Sequence, residues 1–137
     1  MKNYEFLAKA ALEAVKNAYA PYSHYTVGAA LLTAQGRIYT GCNIENAAYG
    51  PSVCAERTAL FKAVSEGERE FEAIAVAGGK DGECVEYFMP CGVCRQVLAE
   101  FCKSDFVICA VCSGAPTKFY TLAQLLPYMF SKKSIGQ

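Results

Sequence analysis

Two short stretches restrict the fold of this chain more than any other feature: the tripeptide Cys54-Ala55-Glu56 and, further along, residues 90–94 (PCGVC). Cys91 and Cys94 are three residues apart, so on a helix their Cβ atoms lie roughly 5–6 Å apart on one face. Both sulfurs can then reach a single ion at about 2.3 Å, and Cys54 can supply a third ligand. The spacing predicts a fold in which two helix starts converge on one zinc ion.

Glu56 lies two residues after the predicted ligand Cys54, in a position to act on water at the metal. Three protein ligands leave the fourth position of tetrahedral zinc open, which is typical of catalytic rather than structural sites. Zinc lowers the pKa of such a water to near 7, and a neighbouring carboxylate can take and return its proton. We therefore predict that Cys54, Cys91 and Cys94 bind one Zn²⁺ per subunit and that Glu56 is the catalytic residue.

The same cysteines have simpler interpretations, as ordinary buried thiols or as a thioredoxin-like redox pair at Cys91 and Cys94. A redox pair does not account for Glu56 at the second position after another cysteine. Cys109 and Cys112 repeat the Cys-x-x-Cys spacing, but on a predicted strand, where residues i and i+3 point to opposite faces. These two are not expected to bind one metal.

Composition indicates a single globular domain over residues 1–137, with 53% hydrophobic and 19% charged residues. The formal net charge is zero and no basic cluster stands out, which disfavours a nucleic-acid partner and favours a small, roughly neutral substrate. Neither a signal peptide nor an apolar run of about 18 residues is found, so no membrane partner is expected. The eight cysteines are then expected to stay reduced in the cytoplasm.

Alternating helical and strand patterns predict an α/β fold whose mixed, mostly buried sheet is covered on both faces. An amphipathic helix is predicted over residues 3–18 and ends before Pro21. Strands are predicted over residues 25–32, 37–42, 72–77, 106–111 and 118–120. Further helices are predicted over about 53–66 with Ser52 as N-cap, over 90–101, and over 121–127 with Thr121 as cap, and residues 78–89 are predicted as a loop.

Nearly the whole chain resembles the small homotetrameric, zinc-dependent cytidine deaminases of nucleoside salvage. The resemblance is carried by residues 41–49 (GCNIENAAY), 54–59 (CAERTA), 90–96 (PCGVCRQ) and 125–127 (LLP). The Cys-x-Glu and Pro-Cys-x-x-Cys elements match the signature of zinc nucleobase deaminases. The resemblance implies a three-layer α/β/α sandwich with a mixed sheet of about five strands. It also implies hydrolysis of cytidine and 2′-deoxycytidine to uridine and 2′-deoxyuridine, with release of ammonia, in pyrimidine salvage.

Three thiolates carry more negative charge than one zinc ion neutralises, and the resemblance offers a remedy at Arg57. In the family an arginine at this position hydrogen-bonds a ligand sulfur, which orients the ligand and moderates its charge. Arg95 is a second candidate for this role. For either residue the alternative is an ordinary solvated arginine on the surface.

The resemblance also assigns substrate contacts. It implies that Asn43 and Glu45 bind the ribose hydroxyls, although these residues alone would also suit a polar loop. Tyr25 matches a position that is usually phenylalanine and stacks on the pyrimidine. The backbone N–H of Ala55 is expected to contact the base, and Phe130 to reach into a neighbouring subunit's site within a homotetramer.

Two other functions compete with this interpretation. One is a related zinc deaminase that acts on blasticidin S, on a nucleotide or on a polynucleotide; Asn43 and Glu45 disfavour the first, and the neutral charge disfavours the last. The other is a non-enzymatic zinc or redox module, in which Glu56 is dispensable and four protein ligands enclose the metal. The segment 83–88, before the second cysteine motif, is expected to reshape the rim of the pocket. For Met89, which follows it, the resemblance implies that the backbone carbonyl lies near the departing amino group.

Overall fold

The computed structural model describes residues 3–137, and over this range it consists of one five-stranded mixed sheet with helices on both faces. The strands are β1 (Tyr25–Thr33), β2 (Ile38–Cys42), β3 (Phe71–Lys80), β4 (Val107–Val111) and β5 (Lys118–Thr121). The helices are α1 (Glu5–Ala14), α2 (Ala55–Ser65), α3 (Gly92–Phe101) and α4 (Leu122–Leu125), with 3₁₀ turns at Val15–Asn17 and Lys132–Ile135. No helix in the described range is long and apolar enough to cross a membrane.

The strands lie in the order β2-β1-β3-β4-β5, and only the β3–β4 pair is parallel among the strands described. A parallel pair needs a crossover connection, and α3 supplies it between β3 and β4. The connection from β2 to β3 contains α2. Both connecting helices pack on the same face of the sheet, so their starts can lie close together.

Alternate residues of the central strands fill two separate hydrophobic cores. Ala29 and Leu31 of β1 pack against α2 and α3, whereas Ala30 and Leu32 pack toward α1. This alternation follows from the two-residue period of a strand, because neighbouring side chains point to opposite faces of the sheet. The predicted three-layer α/β/α sandwich is therefore confirmed.

A glycine sets the distance between α2 and the sheet. A Cβ atom on Gly41 of β2 would lie 2.5 Å from the backbone N of Ala59 and 2.7 Å from the backbone O of Ala55. Any larger residue would push α2 away, because both neighbours are backbone atoms with no flexible end to give way. Gly41 thus lets the first turn of α2, which carries Glu56, lie directly on the edge strand.

Two details of the predicted elements are wrong. Strand β3 continues through residues 78–80, which were predicted as the start of a loop, because these residues pair with the start of β1. Ser52 does not cap α2: the N-cap is Cys54, and Ser52 Oγ instead accepts a hydrogen bond of 3.1 Å from the backbone N of Asn46. The predicted cap of α4 is confirmed, since Thr121 forms a capping box with Gln124.

Candidate metal centre and substrate cavity

The three predicted metal ligands lie together where α2 and α3 begin. Cys54 is the N-cap of α2, Cys91 is the N-cap of α3, and Cys94 lies in the first turn of α3. Their Sγ atoms all lie within 4.8 Å of one another, and the Cys54 and Cys91 sulfurs are 3.6 Å apart. Sulfurs at bonds of about 2.3 Å around a tetrahedral zinc are about 3.8 Å apart, so this spacing fits the ion. Within residues 3–137 it is the one such group of His, Cys, Asp or Glu side chains.

Within the cluster, Cys54 is the thiolate and Cys94 is the neutral thiol, because the hydrogen bond to Cys54 and burial raise the pKa of Cys94. The backbone N of Cys94 donates to Cys91 Sγ at 3.5 Å, which fixes this sulfur at the start of α3. The Cys94 thiol and then the Arg57 guanidinium stabilise the Cys54 thiolate and lower the pKa of Cys54 to about 5. Cys54 is therefore a thiolate at neutral pH, which is the form that binds metals.

Arg57 provides the positive charge that a cluster of thiolates needs. Its Nη2 donates to Cys54 Sγ at 3.6 Å. Its Nε is buried and has no hydrogen-bond partner within the described part of the chain. This N–H is therefore available to an acceptor in the metal-loaded site. Three converging sulfurs with an arginine against them make a donor set that fits zinc.

Arg95 is neither hydrogen-bonded to a ligand sulfur nor a solvated arginine on the surface. Its Nε donates to the backbone O of Pro90 at 2.8 Å, and its Nη1 donates to the backbone O of Leu125 at 2.7 Å. The side chain is half-buried and neither contacts a sulfur nor points into solvent. Arg95 instead joins the start of α3 to the end of α4, and so supports the backbone that carries Cys91.

Glu56 is the buried carboxylate of the site. It lies in the first turn of α2, next to Cys54, and its relative exposure is 4%. Burial disfavours the charged carboxylate and raises the pKa of Glu56 to about 7. A carboxyl group with this pKa can hold and release a proton at neutral pH, which general acid–base catalysis requires.

A cavity of about 380 Å³ opens in front of these groups. Glu56, Cys54 and Cys91 line it together with Asn43 and Glu45. Its volume is that of a typical site for a small organic ligand. The structure thus brings two of the three predicted metal ligands, the predicted catalytic residue and the predicted sugar-binding pair to one cavity, which Ala55 and Arg57 also line.

The side chain of Asn43 is held in place by the start of β1. Its Nδ2 donates to the backbone O of Tyr25 at 2.8 Å, and its Oδ1 accepts from the backbone N of Val27 at 2.8 Å. An amide has four hydrogen-bonding positions, so one N–H and one lone pair remain for a ligand. These contacts fix the orientation of the amide before a ligand arrives.

Glu45 is held as a carboxylate by the loop before β1. Its Oε1 accepts from the backbone N of Tyr22 at 3.0 Å and from that of Ser23 at 3.1 Å, and its Oε2 accepts from Ser23 Oγ. The Ser23 hydroxyl, followed by the backbone N–H groups, lowers the pKa of Glu45. Glu45 therefore remains an acceptor for hydroxyl donors at neutral pH.

An aromatic residue of the cavity wall escaped the sequence analysis. Phe88 lines the cavity, whereas Tyr25 lies behind it, 46% exposed, with its ring centroid 6.1 Å from that of Phe88. Phe88 belongs to the segment that was expected to shape the pocket rim, but no motif in the sequence distinguishes it from its neighbours.

Phe130 lies outside the cavity of its own chain. Its side chain is 61% exposed, and its backbone O accepts from Gln96 Nε2 at 2.8 Å. The hydrogen bond fixes the backbone to α3 and leaves the ring at the surface.

Comparison with known proteins identifies related sequences and structures. The family described as the cytidine and deoxycytidylate deaminase zinc-binding region matches residues 1–110. A cytidine deaminase of Sporosarcina psychrophila is 48% identical over 90% of this chain and 88% of its own. One from Halalkalibacterium halodurans is 44% identical over 96% and 97%. The crystal structure of a cytidine deaminase from Burkholderia pseudomallei matches with a TM-score of 0.86 at 43% identity, covering 94% of this chain and 100% of that one.

Proposed function

Because the chain belongs to the family of cytidine and deoxycytidylate deaminases, we propose that it is the zinc-dependent cytidine deaminase of a pyrimidine salvage pathway. In this role it hydrolyses cytidine and 2′-deoxycytidine to uridine and 2′-deoxyuridine with release of ammonia, and residues 1–137 act as one domain. The proposal depends above all on one observation: three cysteine sulfurs converge, and two of these cysteines line a cavity together with a buried carboxylate, Asn43 and Glu45.

Cys54, Cys91 and Cys94 would hold the zinc ion, and Arg57 would moderate the charge of the thiolates. When bound, zinc acts as a Lewis acid that makes a water molecule acidic enough to serve as a nucleophile at neutral pH. Arg57 serves this chemistry by drawing charge from Cys54 Sγ, which its Nη2 already contacts at 3.6 Å.

Glu56 carries the protons of the reaction. Its carboxylate accepts a proton from the attacking water and passes it to N3 of the pyrimidine. It then takes the second proton from the hydroxyl group added at C4 and delivers it to the departing amino group. The pKa near 7 that burial gives Glu56 suits both directions of transfer. Because the side chain is almost fully buried, bulk water cannot easily replace it as the proton carrier.

Asn43 and Glu45 bind the ribose hydroxyls of the nucleoside. A fixed amide with one free N–H and a carboxylate with about one unused lone pair suit sugar hydroxyl groups, which favours a nucleoside over a free base. The backbone N–H of Ala55 contacts the base, and Tyr25 contributes to the base site through its ring contact with Phe88, which lines the cavity.

We also propose that the enzyme is a cytoplasmic homotetramer in which Phe130 of one subunit completes the site of a neighbour. The exposed ring of Phe130 and the exposed Tyr49 and Phe61 support contact between copies, and eight free cysteines support a reducing compartment. Light scattering of the active enzyme tests the assembly, since a monomeric mass would contradict it.

The function is tested by following the ultraviolet spectrum of cytidine with purified, zinc-loaded protein. The spectrum is expected to change to that of uridine, with one ammonia released per turnover. Blasticidin S and cytidine monophosphate serve as comparison substrates. An unchanged cytidine spectrum with zinc confirmed in the protein would overturn the proposal, and turnover of a comparison substrate would then identify the related deaminase.

A further inference from the structure

We propose that Phe88 forms the aromatic face on which the pyrimidine base stacks, and that Tyr25 acts through Phe88 as the support of its ring. The inference rests on the proposed function, because it assigns the base-binding surface of the same site.

Among the described residues that line the cavity, Phe88 is the one with an aromatic side chain. Most other groups that line the cavity are unsuited to a flat base. Cys54 and Cys91 are assigned to the metal, Glu56 to proton transfer, and Asn43 and Glu45 to the sugar. A pyrimidine ring gains most from an aromatic surface, and Phe88 supplies one within reach of all these groups.

The loop that carries Phe88 is attached to the sheet close to the ring. Glu86 forms an isolated bridge with Gly78 of β3. On the other side, Tyr87 Oη donates to the backbone O of Pro116 at 2.6 Å, and Lys118 Nζ lies 4.3 Å from the centre of the Tyr87 ring. Tyr87 is thus held toward β5, and in extended chain the next side chain points the opposite way, into the cavity.

A glycine under the ring makes room for this position. A Cβ atom on Gly78 would lie 3.2 Å from Phe88 Cγ and 2.9 Å from Val27 Cγ2. Phe88 and Val27, which both line the cavity, therefore close over the bare backbone of β3.

Tyr25 supports Phe88 from behind. The two ring centroids are 6.1 Å apart and the planes are tilted by 46°, a separation within the range of favourable aromatic pairs. The backbone O of Tyr25 accepts from Asn43 Nδ2, so Tyr25 is fixed to the sugar-binding side of the site. This arrangement makes Tyr25 a positioning residue, whose effect on the base depends on the presence of Phe88.

The test is a double-mutant cycle with Phe88→Ala, Tyr25→Ala and the double variant, with Val85→Ala as the control. Val85 lies in the same loop and is 67% exposed, so its truncation is expected to change nothing. The measurements are kcat and KM for cytidine, the inhibition constant of uridine as a probe of binding alone, and zinc content. Removing a base-stacking ring is expected to weaken binding by about tenfold or more.

We expect Phe88→Ala to raise both the KM and the uridine inhibition constant by that factor with zinc content unchanged, and Phe88→Tyr to restore binding. Tyr25→Ala is expected to have a smaller effect, which disappears in the Phe88→Ala background. Phe88→Leu keeps apolar volume without an aromatic face, so it also weakens binding and serves as the test if the alanine variant fails to fold.

Unchanged binding in both Phe88→Ala and Phe88→Leu would overturn the proposal, as would a Tyr25→Ala effect of equal size in both backgrounds. The second result would mean that Tyr25 itself contacts the base. Failure of the proposed function is a distinct outcome, because the wild-type protein would then leave cytidine unchanged.

Discussion

Replacing Glu56 with glutamine is expected to reduce the kcat for cytidine by at least about a hundredfold while zinc stays bound. Glutamine has nearly the same shape as glutamate but cannot accept and return a proton. Because the side chain at position 56 is buried, water has little access to take over the proton transfer. The measurement is kcat for the purified variant, with zinc per chain determined on the same sample.

Glu66→Gln is a matched control, because Glu66 is an exposed glutamate at the other end of α2. This variant should retain wild-type kcat. If Glu56→Gln kept near-normal turnover, Glu56 would not be the proton carrier and the mechanism would have to be assigned to another group.

Replacing Cys94 with alanine is expected to weaken zinc binding by more than about a hundredfold, since even residues that only hydrogen-bond a metal ligand contribute about 10- to 100-fold. Cys94 is almost fully buried, with a relative exposure of 1%, so no other side chain can readily take its place beside the remaining sulfurs. Activity should disappear with the metal. Zinc per chain after dialysis against a mild chelator is the direct measurement.

Cys102→Ala is the control for loss of a buried thiol. Cys102 ends the same helix, and burial raises the pKa of its thiol to about 12, so it is neutral and lies outside the sulfur cluster. Both variants remove a buried sulfur atom, but only Cys94→Ala should lose zinc. Full zinc occupancy in Cys94→Ala would mean that Cys94 is not a ligand.

The common side of Cys91 and Cys94 could be predicted because it depends on local geometry, whereas the contact of Cys54 with them was predicted from the match to the zinc deaminase signature. A spacing of three residues places two cysteines on one helical face, and a cysteine at a helix start places its sulfur near the exposed N–H groups. Neither argument needs knowledge of the tertiary structure. The continuous apolar runs of the strands likewise predicted which elements form the sheet, because a strand that is buried on both faces has apolar residues at successive positions.

Features that depend on pairing between distant segments were missed. Residues 78 and 79 are glycines, which weaken a strand prediction, yet they extend β3 because Val27 and Thr26 of β1 lie opposite. Arg95 looked like a surface or sulfur-binding residue, but its partners are carbonyl groups at positions 90 and 125 that only the fold brings near. Phe88 was missed for the same reason, since its inward direction depends on the contact between Tyr87 and Pro116.

The lengths of the strands also bear on how copies of the chain can meet. The two edge strands are short, five residues in β2 and four in β5, whereas β1 and β3 inside the sheet have nine and ten. Short edges expose few unpaired backbone groups to which another chain could add a strand, and natural proteins use them to prevent edge-to-edge aggregation. Lys118 on β5 adds a charge at one of these edges. Assembly is therefore expected to use helix and loop surfaces and to stop at a closed oligomer, rather than extend the sheet from chain to chain.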